Sequence, residues 1–230
     1  MKKISIIFIF FFISGKLSAQ NMVAQYEVKK TIKGASKDLN VPPVNLTCYY
    51  YKKGNRIISF LKADYLKEYP NAILRIETGE NNGQNFSLYS DSIQGISYFD
   101  LDSMILRTRV IGGLESNDNR WYYFESNYRR WNIFPDSLNL QGMECKRAIE
   151  LSDNGSPIAE IWFNPEIPMP VGMRNLINVP GLIVKATYYG TSETFTLKSF
   201  STTEDIPDSV FWPKEFNEPF KKQSDLRLKK

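Results

Sequence analysis

The sequence predicts a mainly β protein of antiparallel strands joined by hairpins. Apolar and polar residues alternate with period two through most of the chain. The alternating runs are punctuated by turn signals: Gly54-Asn55, Asp100-Leu101-Asp102-Ser103, Asp153-Asn154-Gly155 and Gly190-Thr191-Ser192. Only residues 63–69 and 209–216 offer short helical segments against this pattern.

In chain order, Met22, Ala24, Tyr26, Val28 and Ile32 alternate with Gln25, Glu27, Lys29 and Thr31, a half-buried strand. Residues 46–53 (LTCYYYKK) and 56–61 (RIISFL) form a hairpin about Gly54-Asn55. A short strand is expected at 86–89. Residues 96–99 and 104–110 flank the next turn, and strands at 121–124 and 131–134 follow. Residues 145–151 and 157–163 bracket Asp153-Asn154-Gly155, the strongest hairpin signal in the chain. Residues 182–189 and 193–200 make the last pair. About ten strands with one polar face fit an antiparallel meander: a curved sheet or open half-barrel with short helices or loops covering one face. A closed barrel and a two-sheet sandwich share the same alternation.

Between the last two hairpins lies IWFNPEIPMPVGMRNLINVPGLIVK, residues 161–185. Pro180 presets φ and Gly181 can supply φ > 0, so a type II turn is expected to lead into the strand at 182. The segment's prolines and long apolar complement are parts for fixing a chain path rather than for chemistry.

The N-terminus carries an export signal. Lys2 and Lys3 precede an apolar run over 4–13, and Leu17-Ser18-Ala19 supplies small residues before a cut. The apolar run is too short to span a bilayer, which needs about 20 residues. Residues 1–19 are therefore read as a signal peptide and 20–230 as one domain, with a loosely ordered tail from about 221. Export places the protein in the periplasm or outside the cell. Lys2, Lys3 and Lys16 leave with the leader, which lowers the excess of bases over acids from four to one. A near-neutral exported chain gives little electrostatic reason to bind nucleic acid. Membrane association is expected to be peripheral at most.

Cys48 and Cys145 are the two cysteines, an even count in an oxidising compartment. A disulfide between them would close a long loop and contribute roughly 3–5 kcal/mol. Two separate buried thiols are the alternative.

No histidine occurs in the chain. Ser-His-Asp and Cys-His nucleophilic sites and His-containing metal sites are therefore closed. No phosphate-binding loop and no nucleophile elbow is present. No cofactor, metal or enzymatic activity is expected. Carboxylates remain. Asp100 and Asp102, two apart, could serve a carboxylate-dependent glycoside hydrolase or hold calcium, but turn-stabilising roles fit their position better. Asp136 reads as part of a Pro-Asp turn. Glu150 and Glu160 are expected on exposed strand positions. Aromatic rings are the other resource. Trp121, Tyr123 and Trp131 with Arg130 make a candidate surface for a lipid-like or glycan ligand, against ordinary cross-strand packing.

The segment Trp162-Phe163-Asn164-Pro165-Glu166-Ile167-Pro168, then Gly172, and Asn178-Val179-Pro180-Gly181-Leu182-Ile183 with Ala186, resembles the GLPGLI family of exported bacterial proteins. Asn-Val replaces the family's usual Gly-Leu start. Gly142-x-x-Cys145-x-x-Ala148 resembles the element that precedes it. The clear match covers about residues 136–200. The resemblance implies a secreted or periplasmic protein of undetermined function and brings no catalytic residues. Trp162, Pro165, Glu166, Pro168, Pro180, Gly181, Leu182 and Ile183 are structural motif positions in that reading. A looser architectural likeness is to periplasmic lipoprotein carriers with a half-barrel and helical lid. The expected function is thus a non-enzymatic envelope protein holding an amphipathic ligand on a concave sheet. The alternatives are an accessory component of an outer-membrane assembly, with an outer-membrane protein as partner, and a carboxylate-dependent glycoside hydrolase.

Overall fold

Alternating residues become strands wherever the chain can pair them. The computed structural model describes residues 21–30, 44–62, 73–77, 83–87, 93–109, 121–125, 130–191, 193–202, 205–211 and 221–222. The strands are β1 (Met22–Lys30), β2 (Val44–Lys53), β3 (Arg56–Lys62), β4 (Ile73–Glu77), β5 (Gly83–Ser87), β6 (Ile93–Asp100), β7 (Ile105–Arg109), β8 (Trp121–Glu125), β9 (Trp131–Leu140), β10 (Met143–Leu151), β11 (Pro157–Asn164), β12 (Leu182–Tyr188), β13 (Glu193–Ser201) and β14 (Lys221–Lys222). Twelve share one open sheet in the order β14-β8-β7-β6-β3-β2-β1-β13-β12-β11-β10-β9, and β4 and β5 pair separately. Among the described strands, only β14 and β8 pair in parallel.

The order describes two meanders sewn together. β1-β2-β3-β6-β7-β8 runs outward as an N-terminal arm, and β9-β10-β11-β12-β13 runs back as a C-terminal arm. They join where β1 pairs antiparallel with β13, Val23 opposite Ser201 to Lys30 opposite Glu193. Nine strands separate β8 from β9 within the sheet. In sequence they are six residues apart, a span of at most about 20 Å. The sheet must therefore curl until those strand ends approach.

Even-numbered β1 residues set the inner face. Met22, Ala24, Tyr26 and Val28 are buried with Cys48 and Tyr50 of β2, Ile161 and Phe163 of β11, and Phe195 and Leu197 of β13. The crossing between β11 and β12 fills this face. Met169, Val171, Met173, Leu176, Ile177 and Val179 are buried in the same cluster, at roughly 2 kcal/mol of transfer free energy for each large side chain. The crossing starts with an Asx turn, the Glu166 amide donating to Asn164 Oδ1 at 2.8 Å. A bridge between Val171 and Ile177 folds it back on itself. The Leu182 amide then donates to Ile167 O at 2.8 Å as β12 begins.

A smaller cluster lies apart from it. Ile58, Ile96 and Tyr98 of β3 and β6 bury Ile206 and Phe211 from the segment after β13, which ends in a 3-10 turn at Asp208–Phe211. The short helical expectation at 209–216 thus becomes this turn as far as 211, and the one at 63–69 lies outside the described residues.

Several expectations change. Gly181 is not left-handed; that conformation belongs to Asn178, φ 56°. What demands glycine at 181 is proximity, because a Cβ there would sit 2.1 Å from Asn164 O. The expected type II turn at Pro180-Gly181 is therefore a close backbone crossing. Asp136 is not in a turn but inside β9, which runs to Leu140. Between the Ser137–Lys146 and Ile133–Ala148 pairs, three β9 residues face one of β10. That bulge, on an edge strand, accommodates Pro135, which has no N–H to give. Glu150 is buried, not exposed. Of the two readings open for the cysteines, separate buried thiols is the one found: Cys48 and Cys145 are free, with β1, β13, β12 and β11 between their strands in the sheet. Lys221 and Lys222, placed in a loose tail, form β14.

Candidate functional site

Two constellations hold the chain's polar resources. One lies beneath the crossing. Tyr50 Oη donates to Val171 O at 2.7 Å, Tyr188 Oη to Met173 O at 3.0 Å, and Trp131 Nε1 to Ile177 O at 3.0 Å. The Arg174 amide donates to Ser59 Oγ at 3.3 Å. Arg174, left-handed at φ 48°, places Nη1 against the carboxylate of Glu193, which is 1% exposed. Its guanidinium lies 5.9 Å from the Tyr188 ring centre. Strands β2, β3, β9, β12 and β13 therefore each grip the crossing once by a polar contact. Tyr26 Oη is buried here without a hydrogen-bond partner among the described residues. Burial pushes its hydroxyl well above the usual tyrosine range, with Tyr50 and Cys48 adding to the shift. Burial likewise pushes the Cys48 thiol up to about 12, so it is no nucleophile at neutral pH.

The second constellation crosses the outer face of the C-terminal arm. Arg147 on β10 meets Asp136 of β9 at 2.5 Å and Glu160 of β11 at 3.9 Å. Its guanidinium stacks 4.6 Å above the Phe134 ring. Tyr189, just beyond β12, donates its hydroxyl to Glu160 at 3.1 Å. Four neighbouring chain segments thus contribute to one polar row. Leu151, Ile158 and Tyr189 on this arm stay 42%, 39% and 38% exposed. Their backbones are close, with the Tyr189 amide donating to Ile158 O at 3.1 Å.

The sequence-derived candidates lie on several strands and turns. Trp121 and Tyr123 are on β8 and Trp131 on β9, near opposite ends of the sheet order. The side chains of Trp121 and Tyr123 lie outside the described residues. Arg130 is exposed, while Trp131 is half-buried against the main core. Asp100 is a turn residue: its carboxylate accepts the amides of Asp102 and Ser103, each at 2.9 Å. Those bonds, the Ser103 amide foremost, hold it below the usual carboxylate range. Asp102 accepts from Asn55 Nδ2 at 2.7 Å. Of the motif positions, Gly181, Leu182 and Ile183 are buried, whereas Pro165, Glu166 and Pro168 are exposed. Among the described residues no three His, Cys, Asp or Glu side chains converge as a metal site, and no helix is long and apolar enough to cross a membrane. Arg147, Glu160, Tyr189, Arg174 and Glu193 take the central polar positions, and none was a candidate from the sequence.

An open, curled, mostly antiparallel sheet with a chain segment packed into it defines the class of protein. No family model matches the chain, and no curated protein matches it. Among solved structures, PNGF-II in a C2 crystal form aligns with a TM-score of 0.52 at 11% identity, over 92% of this chain and 32% of that one. Its P21 form gives 0.48 at 12% identity, over 91% and 32%. A DUF1329 family protein from Desulfovibrio piger ATCC 29098 gives 0.28 at 7% identity, over 84% and 90%. This chain spans about a third of the length of PNGF-II. At such identity the C2 match shows a shared fold and nothing of activity.

Proposed function

We propose that this is a non-enzymatic, exported envelope protein that binds through the outer face of β9–β12. The observation that carries this reading is the contrast between the two faces of the C-terminal arm. Residues 169–179 cover much of the inner face, which leaves an amphipathic ligand only the β9 margin of the concave sheet, where Ile133 and Leu138, register partners of buried Ala148 and Cys145, stay 56% and 47% exposed. The outer face presents Leu151, Ile158 and Tyr189, each about two-fifths exposed, beside the Arg147 row. Membership of a GLPGLI-type family fits as well. Asn178 stands where that motif usually begins with Gly and has φ 56°, the conformation Gly adopts freely and Asn tolerates best among the rest.

The accessory-component alternative looks to β9, which has no strand on its far side among the described residues. Pro135 and the bulge interrupt that edge, a common guard against strand addition. The hydrolase alternative loses its leading pair, since Asp100 and Asp102 serve the β6–β7 turn. The test is a photo-crosslinking residue at position 158 of the full chain in cells, with the mature N-terminus sequenced. An envelope adduct and a start at Gln20 are expected. Uncleaved cytoplasmic protein, or cross-linking only from an inner-face position, would overturn the reading.

A further inference from the structure

The outer-face row has a charge balance and an apolar area that narrow what it can hold. Arg147 already faces two carboxylates: its Nη2 meets Asp136 at 2.5 Å and its Nη1 lies 3.9 Å from Glu160. An anion approaching that guanidinium would meet both carboxylates as well. Lys185 is the register partner of Trp162, itself the partner of Arg147, so it shares this face. Asp136 and Glu160 against Arg147 and Lys185 leave the row without net charge, which favours neither an anionic headgroup nor a cation.

Area argues next. Three side chains about two-fifths exposed offer on the order of 200–300 Å² of apolar surface. A standard protein interface needs about 800 Å² from each partner. Three such side chains suffice for a small ligand, whereas a protein partner would have to cover much of the surrounding polar surface as well. Each carboxylate offers about four lone-pair sites, so Asp136 and Glu160 make the row an acceptor surface for hydroxyl donors. The Tyr189 ring offers a face for C–H groups. Groups on adjacent strands stand about 4.8 Å apart, so the row is a ladder of polar rungs across the strands.

We propose that the Asp136–Arg147–Glu160–Tyr189 row binds a neutral sugar residue, its hydroxyls donating to the carboxylates and its ring lying against Tyr189. This rests on the outer face being the binding surface, and it adds the ligand class. The test is amide NMR on the mature full chain, titrated with neutral trisaccharides (chitotriose, maltotriose, mannotriose) and with a sulfated trisaccharide as the anionic control. A neutral sugar is expected to shift amides of β9–β11 and Tyr189. Tyr189→Ala and Glu160→Gln should each weaken it at least about tenfold while the remaining spectrum stays in place. Overturning results are no shift with any neutral sugar at millimolar concentration, tighter binding of the sulfated sugar, or unchanged affinity in both variants. A protein trapped from position 158 with no sugar response would leave the binding face standing and reject the sugar.

Discussion

The segments packed on this sheet, 165–181 on the main core and 205–211 on the smaller cluster, are held by different physics. The crossing is gripped from within. Its carbonyls receive Tyr50, Tyr188 and Trp131, and its one guanidinium meets a carboxylate that water barely reaches. The second segment inserts Ile206 and Phe211, but its polar anchor is on the surface. Asp208, 70% exposed, bridges Lys53 at 3.1 Å and Arg56 at 2.7 Å. Lys53 also donates to Ile206 O at 2.7 Å. Buried contacts make the crossing costly to disturb, because removing one partner strands the other without solvent. Exposed ones leave the second segment dependent on Ile206 and Phe211, with partly buried Val210 beside them.

Damage to the crossing should therefore have the largest effects. Gly181→Val is expected to cost about 3 kcal/mol or to block folding, since its Cβ would overlap the Asn164 carbonyl. Gly172→Ala is the milder counterpart. Its Cβ meets the Ile183 Cδ1 methyl at 2.5 Å, and that methyl can move. Equal melting temperatures for wild type and Gly181→Val would mean the backbones at 164 and 181 are further apart than described. Arg174→Met comes next. It takes the guanidinium from buried Glu193, whose carboxylate also accepts from Thr191 Oγ1 at 3.0 Å, and should cost about 3 kcal/mol in urea unfolding. A loss under about 1 kcal/mol would place that pair in water.

The arms differ in how much of this was legible. Hairpins announced themselves because turn chemistry is local: Gly54 (φ 57°) and Gly155 (φ 80°) adopt the left-handed conformation their dipeptides suggested. The β9–β10 hairpin was missed because Pro135-Asp136 looks like a turn, and only a partner strand reveals it as a bulge. The long-range join of β1 to β13 left no local mark. That join also decides the polar sites. Glu193 opens β13 opposite Tyr188, and its partner Arg174 sits in an irregular crossing, so no periodicity links them. Arg147, Glu160 and Tyr189 meet only once register across β10, β11 and β12 is known. Glu150 was misplaced for a related reason. The shift between Glu150 and Leu151 disrupts alternation at the end of that ladder. Gly181 was correctly seen to need glycine, for the wrong cause: conformation is readable from a dipeptide, proximity to residue 164 is not.

Two tyrosines on one face sharpen the argument about buried polar groups, with opposite signs. Tyr50→Phe removes a donor from the Val171 carbonyl and should cost about 1 kcal/mol. Tyr26→Phe removes a buried hydroxyl with no partner among the described residues, so stability should hold or rise by up to about 1 kcal/mol. Paired urea titrations check both. A destabilised Tyr26→Phe would show that its hydroxyl has a partner in solution, which an ordered water could provide.

The surface anchor should give the smallest response, and its pH dependence separates it from the buried pair. Hydrogen bonds from Arg56 and then Lys53 hold the Asp208 carboxyl below its ordinary value. A depressed carboxylate contributes its stabilisation fully above the unfolded value, near 3.9, and loses it as pH falls through the lower folded value. Wild-type protection of the 205–211 amides from hydrogen exchange should thus be flat above about pH 5 and decline toward pH 3. Asp208→Asn should lower that protection at neutral pH and remove its contribution to the acid decline, with little change in the melting temperature, because exposed ion pairs are screened by solvent. The crossing's amides should not follow, since its grip is made mostly by neutral hydroxyl, indole and carbonyl groups. If both segments loosen together in acid, they open as one cooperative unit and the difference in burial does not set their separate stabilities.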